Sequence, residues 1–413
     1  MLLLVAAGEV LGMSLWFSAT AAAPSMVREF GLQPGTAAWL TMAVQAGFVA
    51  GTLITAVTNL ADAINARRLF AIGCVLGAAS NFAITRAGSP AAIVALRFCT
   101  GASLAWVYPP GMKIAAGWFL QRRGTALGIV VGAVTVGSAI PHLLAWLVAG
   151  LPWRAVVGTS SLLALIGAAI VAAGVSDGPY VSASAPFDRH ALRVVIGNRG
   201  ARLAMLGYFG HMWELYALWT WLSMFVAAGR EARGDTTAST GFIAFAAIGV
   251  AGVVGSLLGG WASDRFGRPP AAVAALVISG TCCVASPLFF AAPTVVLVVF
   301  VLVWGAAVIA DSGVFSTALS ETTDARFVGT ALTAQTATGF LLTVVTIQLV
   351  PVVAELIGWQ YAFLLLAPGP LLGAVAMSAL HNHRQLKEQS NDYQLYAHDT
   401  VRRSDSAALT HCR

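Results

Sequence analysis

A chain of 413 residues with 58% apolar and only 10% charged residues, and a mean hydropathy of +0.81, cannot cover itself with a water-soluble surface, for which about 25% charged residues are usual. Its net charge of +6 does not mark a nucleic-acid binder, because the basic residues sit in short segments between apolar runs rather than along one stripe. The cysteines Cys74, Cys99, Cys282, Cys283 and Cys412 form no C-x-x-C pair, so they read as small core residues and not as a metal site or a disulfide framework.

Apolar runs at 2–23, 37–60, 69–85, 90–112, 125–151 and 155–175 are each long enough to cross roughly 30 Å of hydrocarbon. The first starts beside Met1 and has a leader-like Ala19-Thr-Ala21 or Ala21-Ala-Ala23 site. Pro24 disfavours cleavage there and the run is long, so it reads as a span. A polar segment at 176–202 reads as an inter-half linker. Runs at 203–228, 241–262, 271–292, 294–319, 329–353 and 359–380 follow, then a polar tail at 381–413 that is expected to be disordered. His381, His383, His398 and His411 in the tail have no metal-site spacing. The expectation is an all-α membrane protein of twelve transmembrane helices in two six-helix bundles, 1–175 and 203–380.

Charge sets the expected orientation. With the N-terminus inside, the inner segments and the tail hold 17 basic residues and the outer segments 5, the bias of cytoplasmic loops. Both termini are therefore expected in the cytoplasm and the chain in the inner, cytoplasmic membrane.

The two halves share a repeat. Gly124-Thr-Ala-Leu127 recurs as Gly329-Thr-Ala-Leu332, an offset of 205 residues. Trp153 and Trp359, Asp62 and Asp264, and Gly101-Ala102 and Gly305-Ala306 recur at offsets of 202 to 206. Two equivalent bundles can rock about a site at the membrane midplane, which a carrier needs and a channel does not.

The segment Gly260-Trp-Ala-Ser-Asp264-Arg265-Phe-Gly267-Arg268 resembles the signature loop of the major facilitator superfamily. Its glycines suit a tight reversal, and its arginines suit the cytoplasmic side. The resemblance implies a gating role for this loop in holding the outward-open state. The first-half copy keeps Leu60-Ala-Asp62 and Arg67-Arg68 but has Thr58 and Asn65 where the family has glycine, so the resemblance implies a second, weaker gating loop at Asp62, Arg67 and Arg68. Arg97-Phe-Cys-Thr-Gly101 is similar to the family's R-x-x-x-G motif, whose arginine is tied to proton coupling.

Glu9, Arg97, Glu214 and Asp311 are the charged side chains inside the expected spans. They fall on the first, fourth, seventh and tenth, which the resemblance implies line a central cavity. Glu214, at mid-span, is the leading coupling candidate. His211 lies three residues earlier on the same face, so the two either share a proton, bind a polar solute group or tie helices together. Glu9 is its first-half counterpart, either near the inner mouth of the cavity or at the interface with cytoplasmic water. Arg97 is expected to pair with a carboxylate, backbone carbonyls or an anionic solute, and Asp311 to serve coupling or a helix end.

Trp213 and Tyr216 are the expected cavity aromatics, with Trp16, Trp106 and Tyr108 behind them. His142 is polar glue or a second proton group. The pairs Gly47 and Gly51, Gly128 and Gly132, and Gly255 and Gly259 suggest close helix packing.

These features suggest a secondary active transporter that moves a small organic solute by alternating access with H+ as coupling ion and no cofactor. It would work as a monomer in the bilayer, with no nucleic-acid partner. A solute-sensing receptor on the same scaffold is the alternative. An enzyme is disfavoured by the absence of G-x-S-x-G, H-E-x-x-H and P-loop motifs.

Overall fold

The computed structural model describes residues 1–31, 34–119, 123–147, 152–180, 191–235 and 240–386, and among these residues it is helical throughout with no strand. The six spans of the first half are Leu2–Phe30, Pro34–Val57, Ala66–Arg86, Pro90–Trp118, Arg123–Leu147 and Trp153–Gly174. Those of the second are Arg199–Ala232, Thr240–Phe266, Arg268–Phe289, Thr294–Thr322, Val328–Ile357 and Trp359–Leu386. They are called spans 1 to 12 below.

Several boundaries differ from expectation. The expected linker contains a short helix, Ala191–Gly197, and the start of span 7 at Arg199, while spans 1, 4 and 12 run to Phe30, Trp118 and Leu386 rather than to 23, 112 and 380. Residues 181–190 of the linker and 387–413 of the tail, with His398, His411 and Cys412, lie outside the described residues.

Eleven of the twelve helices are both long and apolar enough to cross a membrane, and span 7 is the one that falls short in hydropathy. Its 34 residues cover about 51 Å, more than enough to cross. It carries Tyr208, His211, Trp213, Glu214 and Tyr216, and 21 of the 34 residues are buried. Spans 8, 10, 11 and 12 pack against it. Leu288, Val295, Leu356 and Leu372 stand out from the bundle as surface for hydrocarbon to cover.

Three spans break midway. Span 1 leaves the helix at Ser14–Phe17, between Leu2–Met13 and Ser18–Phe30, where the Ser14 and Ser18 hydroxyls donate to the carbonyls of Leu11 and Leu15. Span 4 breaks between Leu104 and Tyr108, just ahead of Pro109 and Pro110, which have no N–H to continue the ladder. Span 10 breaks at Asp311, between Thr294–Ala310 and Ser312–Thr322. Span 5 runs helical through Pro141, and span 8 contains a π-helical segment at Ala246–Ala251.

The duplication is exact in packing. A Cβ on Gly47 would strike the Phe98 carbonyl and one on Gly51 the Ala102 carbonyl, where span 2 crosses span 4. In the second half Gly255 meets the Ala306 carbonyl and Gly259 that of Ala310, where span 8 crosses span 10, and every member of the set is displaced by 208 residues. Small residues let these backbones touch. Gly128 and Gly132 do not share this role: Gly128 faces open space, and a Cβ on Gly132 would make only ordinary contact with Val253 across the seam between the halves. That seam is built from span 2 on span 11 and span 5 on span 8.

Gly259→Val is therefore expected to cost at least about 1–3 kcal/mol, the range for overpacking. Gly128→Ala is expected to be neutral. Thermal unfolding of the two purified variants in detergent checks this: a lower Tm for Gly259→Val and an unchanged one for Gly128→Ala.

Candidate solute cavity and its charged surroundings

Between the halves, at the end of the bundle away from Arg67, Arg68, Arg265 and Arg268, lies a cavity of about 780 Å³. The first half contributes Thr20, Arg28, Thr41 and His142, and the second Thr220, Trp221, Ser223 and Glu355. The Thr20 and Thr41 hydroxyls are 2.6 Å apart, and Ser223 Oγ lies 3.3 Å from His142 Nδ1, a contact that joins span 5 to span 7 across the seam. His142 thus both joins the two halves and faces the cavity.

An aromatic layer closes the cavity toward the basic end. Trp16 and Phe17, in the break of span 1, meet Tyr216 at ring-centroid distances of 5.6 and 6.3 Å. Phe48 of span 2 meets Phe340 of span 11 at 4.6 Å, Tyr216 meets Phe340 at 5.1 Å, and Phe17 meets Trp219 at 6.1 Å. His142 packs on Phe17 at 6.2 Å, which ties the cavity wall to this layer. Tyr216 stands in this layer and not among the residues that line the cavity. Trp213 is in neither place: its indole donates to the Leu365 carbonyl at 3.0 Å, and its Cβ packs on Gly369 of span 12. Trp106 is likewise occupied, donating to Thr55 Oγ1 at 2.8 Å.

The four charged residues lie inside the two half-bundles, and none lines the cavity, which corrects the expected placement. Arg97 is fully buried with neutral partners only. Its Nε donates to the Leu40 carbonyl at 2.9 Å, and Nη1 donates to the Leu15 carbonyl at 2.9 Å and to Ser18 Oγ and Asn81 Oδ1 at 3.2 Å each. Nη2 donates to the Trp16 carbonyl. Asn81 in turn donates to the Val157 carbonyl and Ser161 Oγ, both at 3.0 Å. One guanidinium thus gathers spans 1, 2 and 3 around span 4, and through Asn81 reaches span 6. The carbonyls at the end of a helical segment carry partial negative charge, which is why a cation fits there without a carboxylate.

The carboxylates have separate settings. Glu9 is fully buried beside Gly111 of span 4, where any Cβ would collide with its Oε1, and neither carboxyl oxygen has a hydrogen-bond partner among the described residues. It does not reach water at the interface or the cavity mouth. Glu214 Oε1 accepts from Trp304 Nε1 at 2.6 Å and from Cys283 Sγ at 3.2 Å, which turns it toward spans 9 and 10. His211, expected beside Glu214, instead places Nδ1 2.8 Å from Asp311 Oδ1 at the break of span 10. Three titratable groups of spans 7 and 10 thus gather inside the second half.

At the basic end, Arg268 bonds Asp264 and Ser263 at 2.8 Å each and lies 3.4 Å from Glu321, which Arg384 approaches to 2.9 Å. The signature loop is thereby tied to the ends of spans 10 and 12. Gly267 turns at φ +92°, a value that favours glycine, while Gly260 and Arg265 are exposed. Nearby, the Arg326 side chain on Asp324 holds that carboxyl down at about 2, so the Asp324 cap ahead of span 11 stays ionised at ordinary pH.

The first-half copy is built differently. Asn65 stands at φ −52° where Gly267 has its positive φ. It caps span 3 through the N–H groups of Arg67 and Arg68 and donates to Asp177, while Arg67 donates to the Val175 carbonyl at 3.0 Å. Asn59 takes the left-handed turn instead, at φ +52°. Ala66 occupies the place of Arg268, and Arg68 is exposed; the Asp62 side chain lies outside the described residues.

The model of the Major Facilitator Superfamily matches the chain twice, over residues 4–251 and 204–402. Over 172 residues the chain is 28% identical to the hexuronate transporters of two Escherichia coli strains, a stretch that covers 40% of this chain and 38% of each relative. The E. coli xylose transporter XylE, in a partially occluded inward-open conformation, shares the fold at a TM-score of 0.70 and 15% identity, covering 92% of this chain and 98% of that one. A mutant of the nucleoside transporter NupG does so at 0.67 and 15%, covering 92% and 99%.

Arg97→Met would strand the Trp16 carbonyl and take a donor from those of Leu15 and Leu40, at about 1–3 kcal/mol for a buried acceptor left bare. The expected result is a large fall in Tm with faster amide exchange around 14–18. Arg97→Lys, which cannot span the same carbonyls, is expected to fall between Met and wild type.

Proposed function

The chain belongs to the major facilitator superfamily and is a multi-pass membrane transporter of solutes, and from this premise we propose that it is a proton-coupled secondary carrier of a small hydroxylated organic solute, working by alternating access. The observation that carries the reading is the cavity between two duplicated halves, open at one end and stopped at mid-depth by aromatic rings from both halves. Rocking the halves about spans 2, 5, 8 and 11 would part the rings on the basic side while closing the far side.

The basic loops support an orientation with both termini in the cytoplasm of the cell's inner membrane, which makes the open end the outward one. Hydroxyls of Thr20, Thr41, Thr220 and Ser223, with Trp146, Trp221 and Trp359 among them, suit a solute that has both hydroxyl groups and an apolar ring face. Arg28 and His142 in the same wall suit a carboxylate, and the hexuronate transporters are the relatives that make a sugar acid the first solute to try. Small solute and lipid are the only partners the reading requires; it needs no cofactor or second subunit.

For coupling, the favoured groups are Asp311 with His211, and Glu214 beside them. Asp311 sits at the break of span 10, so a proton gained or lost there acts where the helix can bend. Glu9, buried against span 4 with no hydrogen-bond partner among the described residues, is the first-half counterpart.

In proteoliposomes, labelled D-glucuronate, D-xylose and uridine are tried in turn, with the outside acidified. Uptake above equilibrium is expected for at least one of them, rising as external pH falls. Asp311→Asn is expected to lose accumulation and keep solute exchange. Accumulation that persists unchanged in Asp311→Asn, Glu214→Gln and Glu9→Gln would exclude these carboxyls as the coupling groups. Ligand binding without any flux would favour a receptor.

A further inference from the structure

Four buried polar side chains at the centre of the molecule have no assigned role and no hydrogen-bond partner among the described residues: the indole N–H groups of Trp16 and Trp219 and the side-chain amides of Gln45 and Gln335. Both amides are fully buried, and neither the carbonyl oxygen nor the nitrogen of either is paired. Folded proteins rarely leave such groups bare, because each forfeits its bonds to water and gains nothing in return.

Their placement is ordered. The Phe48 and Phe340 rings mark where spans 2 and 11 cross in the aromatic layer. Span 2 runs toward the basic end and span 11 away from it. Gln45, three residues before Phe48, therefore lies about 4.5 Å along the helix on the cavity side of the layer, and Gln335, five residues before Phe340, about 7.5 Å on the other side. Trp16 and Trp219 belong to the layer itself, one from each half.

The chemistry of the set selects a ligand. A carboxamide donates and accepts, an indole N–H only donates, and the four groups carry no formal charge. A hydroxyl, which also donates and accepts, can satisfy them; a carboxylate or ammonium would find no countercharge among them. The surrounding faces of Trp16, Tyr216 and Phe340 suit the C–H face of a saturated ring. We propose that Trp16, Gln45, Trp219 and Gln335 form the occluded subsite for a hydroxyl-bearing sugar ring, met first by Gln45 from the cavity and handed to Gln335 as the aromatic layer parts. This assignment rests on the carrier reading and adds to it which ring chemistry is recognised and from which spans.

The test uses the full-length protein in detergent with D-glucose, D-glucuronate and D-glucosamine, which share a hydroxylated ring and differ in charge, and with succinate, which lacks the ring. Calorimetric titration is expected to show binding of at least one of the hexose compounds and none of succinate. Gln45→Met and Gln335→Met are each expected to weaken that binding about tenfold, the loss of roughly one good hydrogen bond to ligand. Because each removes an amide that has no partner, Tm without ligand should hold or rise. Leu288→Ala, on the outer surface, serves as the control.

Unchanged affinity in both Met variants would overturn the proposal, as would a Tm that falls in both, which would give the amides a structural role. Failure of all three hexose compounds to bind would overturn the ring assignment. The carrier reading is scored separately: it fails if no solute exchanges in proteoliposomes, and it survives if exchange occurs with an unaltered KM in both variants.

Discussion

Inside a bilayer every backbone polar group needs a partner from the protein, and the break in span 1 is tolerable because Arg97 supplies one. Its guanidinium donates to the Trp16 carbonyl at the break, joins Ser18 in donating to the Leu15 carbonyl, and donates to the Leu40 carbonyl of span 2. Much depends on this contact. The break is what brings Trp16 and Phe17 into the aromatic layer, so the floor of the cavity is held in place from inside the first half, by a residue that does not line the cavity.

The second half shares the topology without copying the chemistry. Its glycine seams repeat those of the first half at a constant displacement, since close backbone packing leaves no room for a side chain at either site. The polar interior has diverged. Where the first half gathers neutral acceptors around one cation, the second gathers Glu214, His211 and Asp311 around spans 7 and 10. The proposed proton coupling would then rest chiefly on the second half, with Glu9 as its counterpart in the first.

The twelve spans, the duplication and the signature loop were legible because each is local or periodic: apolar length, a repeated Gly-Thr-Ala-Leu, a glycine turn flanked by arginines. The breaks were not, because the sequence stays apolar across Ser14–Phe17 and only the proline pair after Val107 marks one of them. Helical spacing put His211 and Glu214 on one face, yet a helix face is broad enough for neighbours three residues apart to take different partners, and His211 meets Asp311 while Glu214 is drawn to Trp304 and Cys283. Charge drew notice to Arg97, and the amide of Asn81 within an apolar run was a quieter signal for its main relay. Glu321 and Arg384, which complete the loop's ion pairs, are distant in sequence and ordinary in type, so only folding brings them to notice.

The central claim is that the halves rock about the aromatic layer, exposing the site to each side in turn. It is tested most directly by spin–spin distances in a cysteine-free background, with one label pair at Ser25 and Glu355 across the open end and another at Arg68 and Arg265 across the basic end. Lowering the pH in the presence of a bound solute should shift population toward a shorter Ser25–Glu355 distance and a longer Arg68–Arg265 distance together. Two distances that stay fixed under all conditions, or that lengthen and shorten in step, would contradict alternating access.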